Sequence, residues 1–548
     1  MTRRTQGHRA RRAGAVGAAL ALACSAVALV PGAASGATAG PGIGSKDALA
    51  APGCDPDTGR LAVQWYAAPP CVRPFEDGAD NGGATARGVT ADAIEVTVLV
   101  PPVDKDRSST NGGIRDYATG QNGLSKDAVL DENAILAQFW ETWGRTVEFD
   151  FIEASGTDEA AQRADAITVI ATKPFAVMDV AQYAQGGGGE VFQRQVQNAR
   201  IELMTPPQTQ AELYSSYVLN TAEFAGKNLV KRKTEYAGDA LNGEPRVFGV
   251  VSEGGQNGLD ISVFDEEFAK YGGKTAVQLE YEAPIDPTRS VQDAAFQEQA
   301  PTIVGRLKDA GVTTVINLST GSFGGMTKAL TTQATAQDWF PEWVQSGIGY
   351  QDLDFFARQN DQQQWAHAFG PVWFVPYVEG DAKDAIVNFF QWYWGTDRGT
   401  HSPGVLSQLL RLYNGVQLAG PKLTPTSFDK ALEGFEPLGG AYSDMITNLE
   451  TGYPPSDVIA PRGSAIGWWN AELEGPSNQI GVPGKGKYMY LDGGKRYITG
   501  KFPKNVKGLF DESASIALLE ELPAVDQVGP YDCEGCPSSG GTQLPSRA

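Results

Sequence analysis

Residues 246–285 read RVFGVVSEGGQNGLDISVFDEEFAKYGGKTAVQLEYEAPI. The run RVFGVVSEG (246–254) has the length and β-branched content of a buried strand. DISVFDEEFAKYG then spaces its apolar residues as a helix does, and AVQLEYEAPI (276–285) returns to strand. Strand, helix and strand in that order predict a crossover unit whose two strands are parallel. The rhythm continues through FQEQAPTIVGRLKDAG, VTTVINLST (312–320), MTKALTTQATAQD and PEWVQSGIG (341–349).

The same alternation occurs earlier in the chain. AIEVTVLVP (93–101), RTVEFDFIEA (145–154), PFAVMDV (174–180) and RIELMTP (200–206) are separated by helical patterns such as ENAILAQFWETW and DEAAQRADAITVIA. Two successive α/β lobes, each with a parallel sheet covered on both faces, are the simplest account. The last part builds no third lobe. AHAFGPVWFVPYV reads as an extended crossing segment, GDAKDAIVNFFQWYWG and GVLSQLLRLYNGVQLA as helices, and KYMYLDGGKRYITG as a hairpin about an Asp-Gly-Gly turn. The expected organisation is lobe one at 91–220 plus 372–460 and lobe two at 221–371 plus 461–521. An N-terminal extension occupies 40–90 and a C-terminal tail 522–548. A chain that returns to both lobes crosses between them several times, which makes a hinge.

Two glycine-rich stretches imitate nucleotide loops and fail on spacing. In AVMDVAQYAQGGGGE (176–190), Val191 stands where the dinucleotide pattern needs its third glycine. In YGGKTAVQ, Gly273, Lys274 and Thr275 resemble the end of a phosphate loop, but Phe268 occupies the first glycine position and a strand-like run follows.

The chain begins with Arg3, Arg4, Arg9, Arg11 and Arg12, then an uncharged Ala/Leu/Val/Gly stretch from Ala13 to Val30 and small residues to ASGATAG. Residues 1–39 therefore read as an export signal. The alternatives are a retained membrane anchor, or acylation at Cys24 in LALAC, which would tether an exported protein to the membrane. Cysteine usage agrees with export. Cys54, Cys71, Cys533 and Cys536 read as structural disulfides, and four cysteines leave three pairings open. The formal charge is −21 and falls to −26 without the five leader arginines, which argues against nucleic acid as a partner.

Beyond His8 the chain has only His367 and His401, and it contains neither H-E-x-x-H nor G-x-S-x-G. No metal and no cofactor is expected, and the chain reads as a non-enzyme. A secreted hydrolase using a carboxylate pair is the enzymatic alternative. The aromatic cluster FFQWYW (389–394) fits a core stripe better than a sugar-stacking surface. Open α/β sheets bind ligands at the carboxyl ends of their strands, and two such sheets across a hinge make a clamshell.

The stretches NGGATARGVTADAIEVTVLVPPV, PRVFGVVSEGGQNGLD, GRLKDAGVTTVINLSTGSFGGMTKAL and KYMYLDGGKRYITGKFP resemble actinobacterial ABC-transporter solute-binding proteins of the branched-chain amino-acid type. The resemblance spans roughly residues 45 to 515. It implies the type I periplasmic-binding fold: two Rossmann-like lobes joined by a multi-crossover hinge, a small polar ligand held between them, and an ABC permease as membrane partner. A receptor or scaffold without transport is the alternative use of that fold.

In such proteins lobe-one loops hold a carboxylate, and lobe-two loops supply an aromatic and an acidic partner for an ammonium. The matching positions here are Gln182 and Tyr183 after the third strand, and Thr205, Gln208 and Thr209 after the fourth. Lobe two offers Glu253 and Asn257, then Ser319, Ser322 and Phe323, then Ser346 and Tyr350. Gly186–Gly189 are expected either to start a helix whose N-terminus faces the cleft or to form a surface turn.

Overall fold

The computed structural model describes residues 40–519 apart from 64, 66–67, 102–125, 157, 184–188, 206–213, 256–257, 284–288, 320–324, 374–376, 379–384, 396–402, 435–462 and 476–483. The first sheet contains β1 (Ala93–Val100), β2 (Thr146–Glu153), β3 (Ala176–Asp179) and β4 (Glu202–Leu203) in the order β2-β1-β3-β4, with every neighbour parallel. All of β1 except Glu95 is buried, as its β-branched sequence AIEVTVLV requires of a strand covered on both faces. Helices α1 (Lys126–Phe139), α2 (Glu159–Ala171) and α3 (Glu190–Asn198) belong to this half. Asp158 caps α2 by accepting from the amides of Ala160 and Ala161. Entry into β1 passes through Gly88 (φ 67°), where a Cβ would lie 2.0 Å from the amide nitrogen of Phe175, so glycine is required.

Helix α4 (Ser215–Asn228) introduces the second half. Its sheet holds β5 (Phe248–Glu253), β6 (Thr275–Tyr281), β7 (Thr314–Leu318), β8 (Glu342–Gln345) and β9 (Ala368–Val372), in parallel order β6-β5-β7-β8-β9. The winding of the first sheet is thus repeated: the first strand of each lobe sits between its second and third. Helices α5 (Ile261–Ala269), α6 (Arg289–Asp309) and α7 (Gly325–Ala336) connect these strands. Beyond β9 the sheet turns antiparallel through β10 (Gly463–Gly475), β11 (Gly484–Leu491) and β13 (Ser515–Ile516), while β12 (Tyr497–Ile498) pairs with the start of β10.

Two expectations change here. AHAFGPVWF is not merely a crossing segment, because Ala368–Val372 is an interior strand with β8 on one side and β10 on the other. KYMYLDGGKRYITG is not a hairpin. Both edges of β11 are already occupied, by β10 and β13, so the turn at Asp492–Gly494 sends Tyr497 and Ile498 to Ser464 and Gly463 instead.

The later helices α8 (Ala385–Trp394), α9 (Pro403–Ala419) and α10 (Pro425–Glu433) return to the first half. Phe389, Phe390, Leu409, Tyr413 and Phe428 share one core with Ile94, Val96 and Val98 of β1 and Trp140 beyond α1. Leu61, Val63, Trp65 and Val72 of the N-terminal extension enter the same core, where Trp65 meets Phe389 edge-on at 5.7 Å. A disulfide between Cys54 and Cys71 closes the extension on itself, so this pair is local. The positions Cys24, Cys533 and Cys536 lie outside the described residues. Buried Arg145 donates to the carbonyls of Asn81, Gly83, Thr90 and Pro421 and so ties the extension to the α9–α10 connection.

The chain therefore passes between halves three times: between Leu203 and Ser215, between Trp373 and Ala385, and between Glu433 and Gly463. These passages meet the second sheet at one corner. Tyr217 of α4 stacks on Trp373 with ring centroids 3.8 Å apart, and Arg496 donates to the carbonyls of both Trp373 and Gly463.

Candidate functional site

The strand order selects the place to look. In an open parallel sheet a crevice forms at the carboxyl edge where the winding reverses, between the first strand and the third. In the first sheet this is the gap between β1 and β3, which ends at Asp179. Its buried carboxylate accepts from Gln193 Nε2 at 2.9 Å, and its amide donates to Gln408 Oε1 at 2.8 Å. In the second sheet it is the gap between β5, ending at Glu253, and β7, followed by Ser319.

Glu253 is 4% exposed, and its carboxylate accepts from the Tyr281 hydroxyl of the neighbouring strand at a long 3.4 Å. Burial pushes its carboxyl up to about 7, against the smaller opposing effect of that hydrogen bond. Tyr214, immediately before α4, has its phenol raised first by burial and then by Tyr350 and Glu253, which brings these three side chains into one electrostatic neighbourhood. Tyr214 meets Tyr217 edge-on at 5.4 Å, and Tyr217 lies on Trp373. Burial, Asp352, Tyr214 and Tyr350 all raise Tyr217, while Arg496 opposes them. An aromatic wall thus stands at the second switch point in the electrostatic neighbourhood of two buried carboxyls, Glu253 and the Asp352 that accepts from the Trp373 amide.

The turn after β8 fixes the edge of this wall. Gly347, Gly349 and Tyr350 all have left-handed backbone, at φ 75°, 64° and 64°. A Cβ on Gly347 would fall 2.1 Å from Trp373 Cδ1. Trp373 donates through Nε1 to Ser346 O at 2.8 Å and through its amide to Asp352 Oδ2 at 2.5 Å. Ser346 Oγ donates to Asn317 O at 2.8 Å, and Gln351 Nε2 donates to Ser319 O at 2.9 Å. A non-glycine residue at positive φ persists only where its surroundings over-determine it, as they do for Tyr350.

The positions expected from sequence fare differently. Ser319 is buried and its hydroxyl is shared with Thr327 Oγ1 at 2.9 Å and Gln351 Nε2 at 3.3 Å, so it supports the loop. Ser346 does likewise. Tyr350 is half-buried and tilts against Phe356 at 6.0 Å. Thr205, just past β4, has a buried Oγ1 that finds no hydrogen-bond partner among the described residues. Gln182 and Tyr183 lie in a short helix after β3 (Val180–Tyr183), their side chains outside the description. Gln208, Thr209, Asn257, Ser322 and Phe323 also lie outside the described residues. The helix after the four glycines does begin at Glu190 with Gly189 as its cap, and its Phe192 amide donates to Gln162 Oε1 at 3.4 Å.

Sequence reasoning missed Tyr214, Tyr217, Asp352, Trp373 and Arg496. The spacing of Tyr214 and Tyr217, three apart at a helix start, was the available signal; Trp373 inside an apolar run gave none. His367 stands at the start of β9, on the opposite edge of the sheet, where burial lowers its pKa against Asp239 and Glu342.

No protein-family model matches the sequence, and no curated protein matches it. Among solved structures the chain is similar to a solute-binding protein of an ABC transporter from Rhodopseudomonas palustris HaA2 in complex with p-hydroxybenzoic acid: 14% identity, TM-score 0.42, over 74% of this chain and 98% of that one. It is also similar to a leucine-, isoleucine-, valine-, threonine- and alanine-binding protein from Brucella ovis in a closed conformation, at 11% identity and TM-score 0.46 over 75% and 96%. A third is an ABC transporter substrate-binding protein from Sphaerobacter thermophilus, at 10% identity and TM-score 0.45 over 75% and 99%. The functional reading rests on the two switch points and the wall, not on these likenesses.

Proposed function

We propose that this chain is an extracytoplasmic solute-binding protein that captures a small polar metabolite between its two sheets and hands it to an ABC permease. One observation carries the reading: the same parallel winding occurs twice, each with a buried acidic side chain at its switch point, in halves joined by three crossings. Ligand capture between such halves needs no reacting group, only contacts that the closed form makes better than the open one. The neighbour from Rhodopseudomonas palustris is recorded with p-hydroxybenzoic acid and the one from Brucella ovis by its amino acids, so amino acids and small organic acids head the candidates. Thr205 and the loop after β3 supply the first-sheet contacts in this reading, and Tyr214, Glu253 and Tyr350 supply the others.

The leader makes the protein an exported one, either released or held by a lipid on Cys24. Among the described residues no helix is long and apolar enough to cross a membrane. Thermal-shift screening of the purified protein against amino acids, hydroxybenzoates and organic cations tests the proposal. A ligand at a hundred times its Kd stabilises the native state by ~2.7 kcal/mol and comes back chemically unchanged. Turnover of any compound, or no stabilisation by any of these classes, refutes it.

A further inference from the structure

Two buried acid–base contacts in the second half differ in build. Arg246 and Glu342 meet through two hydrogen bonds at 2.6 and 2.9 Å, as an ion pair taken out of water requires. Lys487 of β11 and Asp354, the first residue of the short helix Asp354–Ala357, do not. Lys487 Nζ lies 3.7 Å from Asp354 Oδ2, beyond hydrogen-bond distance, although the two side chains are only 3% and 2% exposed. Asp354 Oδ1 accepts from the Tyr488 amide at 3.0 Å, whereas the buried Oδ2 has no hydrogen-bond partner among the described residues.

The surroundings hold this contact dry and in place. Ala357 and Tyr488, next to the two residues in the chain, belong to one buried cluster with Trp365, Trp469 and Tyr490. Strand β10 passes so near the lysine stem that a Cβ at Gly475 would lie 2.9 Å from Lys487 Cδ. Arg358, one turn after Asp354, donates to the carbonyls of Gly486 and Gly475 at 2.9 and 3.2 Å. Burial lowers the pKa of Lys487, with help from the Arg358 charge and against the attraction of Asp354. Burial likewise raises Asp354, against Lys487 and the Tyr488 amide. Desolvation therefore moves the partners toward free amine and carboxylic acid.

We propose that Lys487 and Asp354 join in an intramolecular amide once the protein has folded. The amine attacks the Asp354 carboxyl carbon, a C–N bond forms and the C–OH bond breaks. One amine proton leaves with that hydroxyl as water and the other stays on the amide nitrogen, so the step needs no oxidant, reductant or co-reactant. In water an amine and an acid ionise each other and do not condense. Buried side by side they lose the solvation that favours the ions, and each is presented to the other at high effective concentration. The 3.7 Å contact leaves the amine a small side-chain adjustment from the carboxyl carbon. The bond would anchor to β11 the chain just past Tyr350, and with it the turn that seats Trp373 through Ser346 and Asp352.

Mass spectrometry of the purified, denatured protein tests the bond. Its formation removes one water, about 18 Da, from the mass of the disulfide-bonded chain. Trypsin cuts after a free Lys487 but not after an acylated one, so the digest should contain residues 329–358 joined to residues 486–495 as one branched peptide. Lys487→Arg and Asp354→Ala should each keep the full mass and give these peptides unjoined. Water loss that persists in either variant comes from elsewhere, such as cyclisation at Asp492–Gly493, and overturns the amide. Wild-type protein that keeps its full mass and yields only unjoined peptides, both fresh and after prolonged incubation at neutral pH, overturns it as well. The wild-type peptide map decides the matter by itself if a variant misfolds.

Discussion

Glu253 makes stability depend on pH in a direction unusual for a carboxylate. Burial raises it from 4.5 to about 7, so between those values the folded protein holds a proton that the unfolded chain has released. The stabilisation is complete below about pH 4.5 and is lost as pH rises through about 7; at about 1.4 kcal/mol per pH unit it amounts to about 3 kcal/mol. The hydrogen-bond partner of Glu253 is the Tyr281 hydroxyl from β6, and Tyr214 from the start of α4 lies within its electrostatic reach. Glutamine keeps the shape of the protonated acid and has no proton to lose, so Glu253→Gln should match wild type at pH 5 and exceed it at pH 8 by most of that amount. Urea unfolding followed by tryptophan fluorescence at the two pH values reads the difference, and other titrating groups cancel between the proteins. If the two proteins keep the same stability difference, to within about 1 kcal/mol, at pH 5 and pH 8, then Glu253 is not the buried, weakly paired acid argued for here.

The remaining predictions concern what holds each half together and fixes the turn after β8. Arg246 and Glu342 form a fully buried, two-pronged pair at 2.6 and 2.9 Å, so Glu342→Gln should cost about 3–5 kcal/mol in urea unfolding. Replacing both with apolar residues of similar size should recover most of it. The Cys54–Cys71 bridge spans a sequence separation of 17, so Cys54→Ala/Cys71→Ala should lose about 3 kcal/mol and speed hydrogen exchange in residues 46–72. Gly347→Ala forces a methyl onto Trp373, and should cost about 2 kcal/mol or more in thermal melting and weaken the binding of whichever ligand the screen identifies.

The sheets were legible because their strands are continuous apolar runs rich in β-branched residues, and because helical patterns of the right length lie between them. AIEVTVLV and RVFGVVSEG needed no tertiary information. KYMYLDGGKRYITG misled because its local turn chemistry favours a hairpin, while the pairing is decided by β10 and β13 occupying both edges of its strand. The carboxyl of Glu253 was legible as a strand-end acid, but its isolation was not, since that depends on which neighbours face it. Ser319 and Ser346 looked available as loop hydroxyls; Gln351, Thr327 and the Asn317 carbonyl, all within about 35 residues, had prior claim on them. Trp373 was invisible as a site residue because an indole inside GPVWF looks like any core side chain.

The three crossings also set the order in which this protein can mature. The first core joins Leu61 to Leu432, and the second joins Tyr217 to Leu509. Neither half can close its core while the chain is emerging, because each waits for segments that arrive after most of the other has been made. Contacts this distant in sequence make folding slow, and the growing chain keeps both cores open for most of its synthesis. The three crossings that join the halves therefore also delay the closing of both cores until nearly the whole chain has been made.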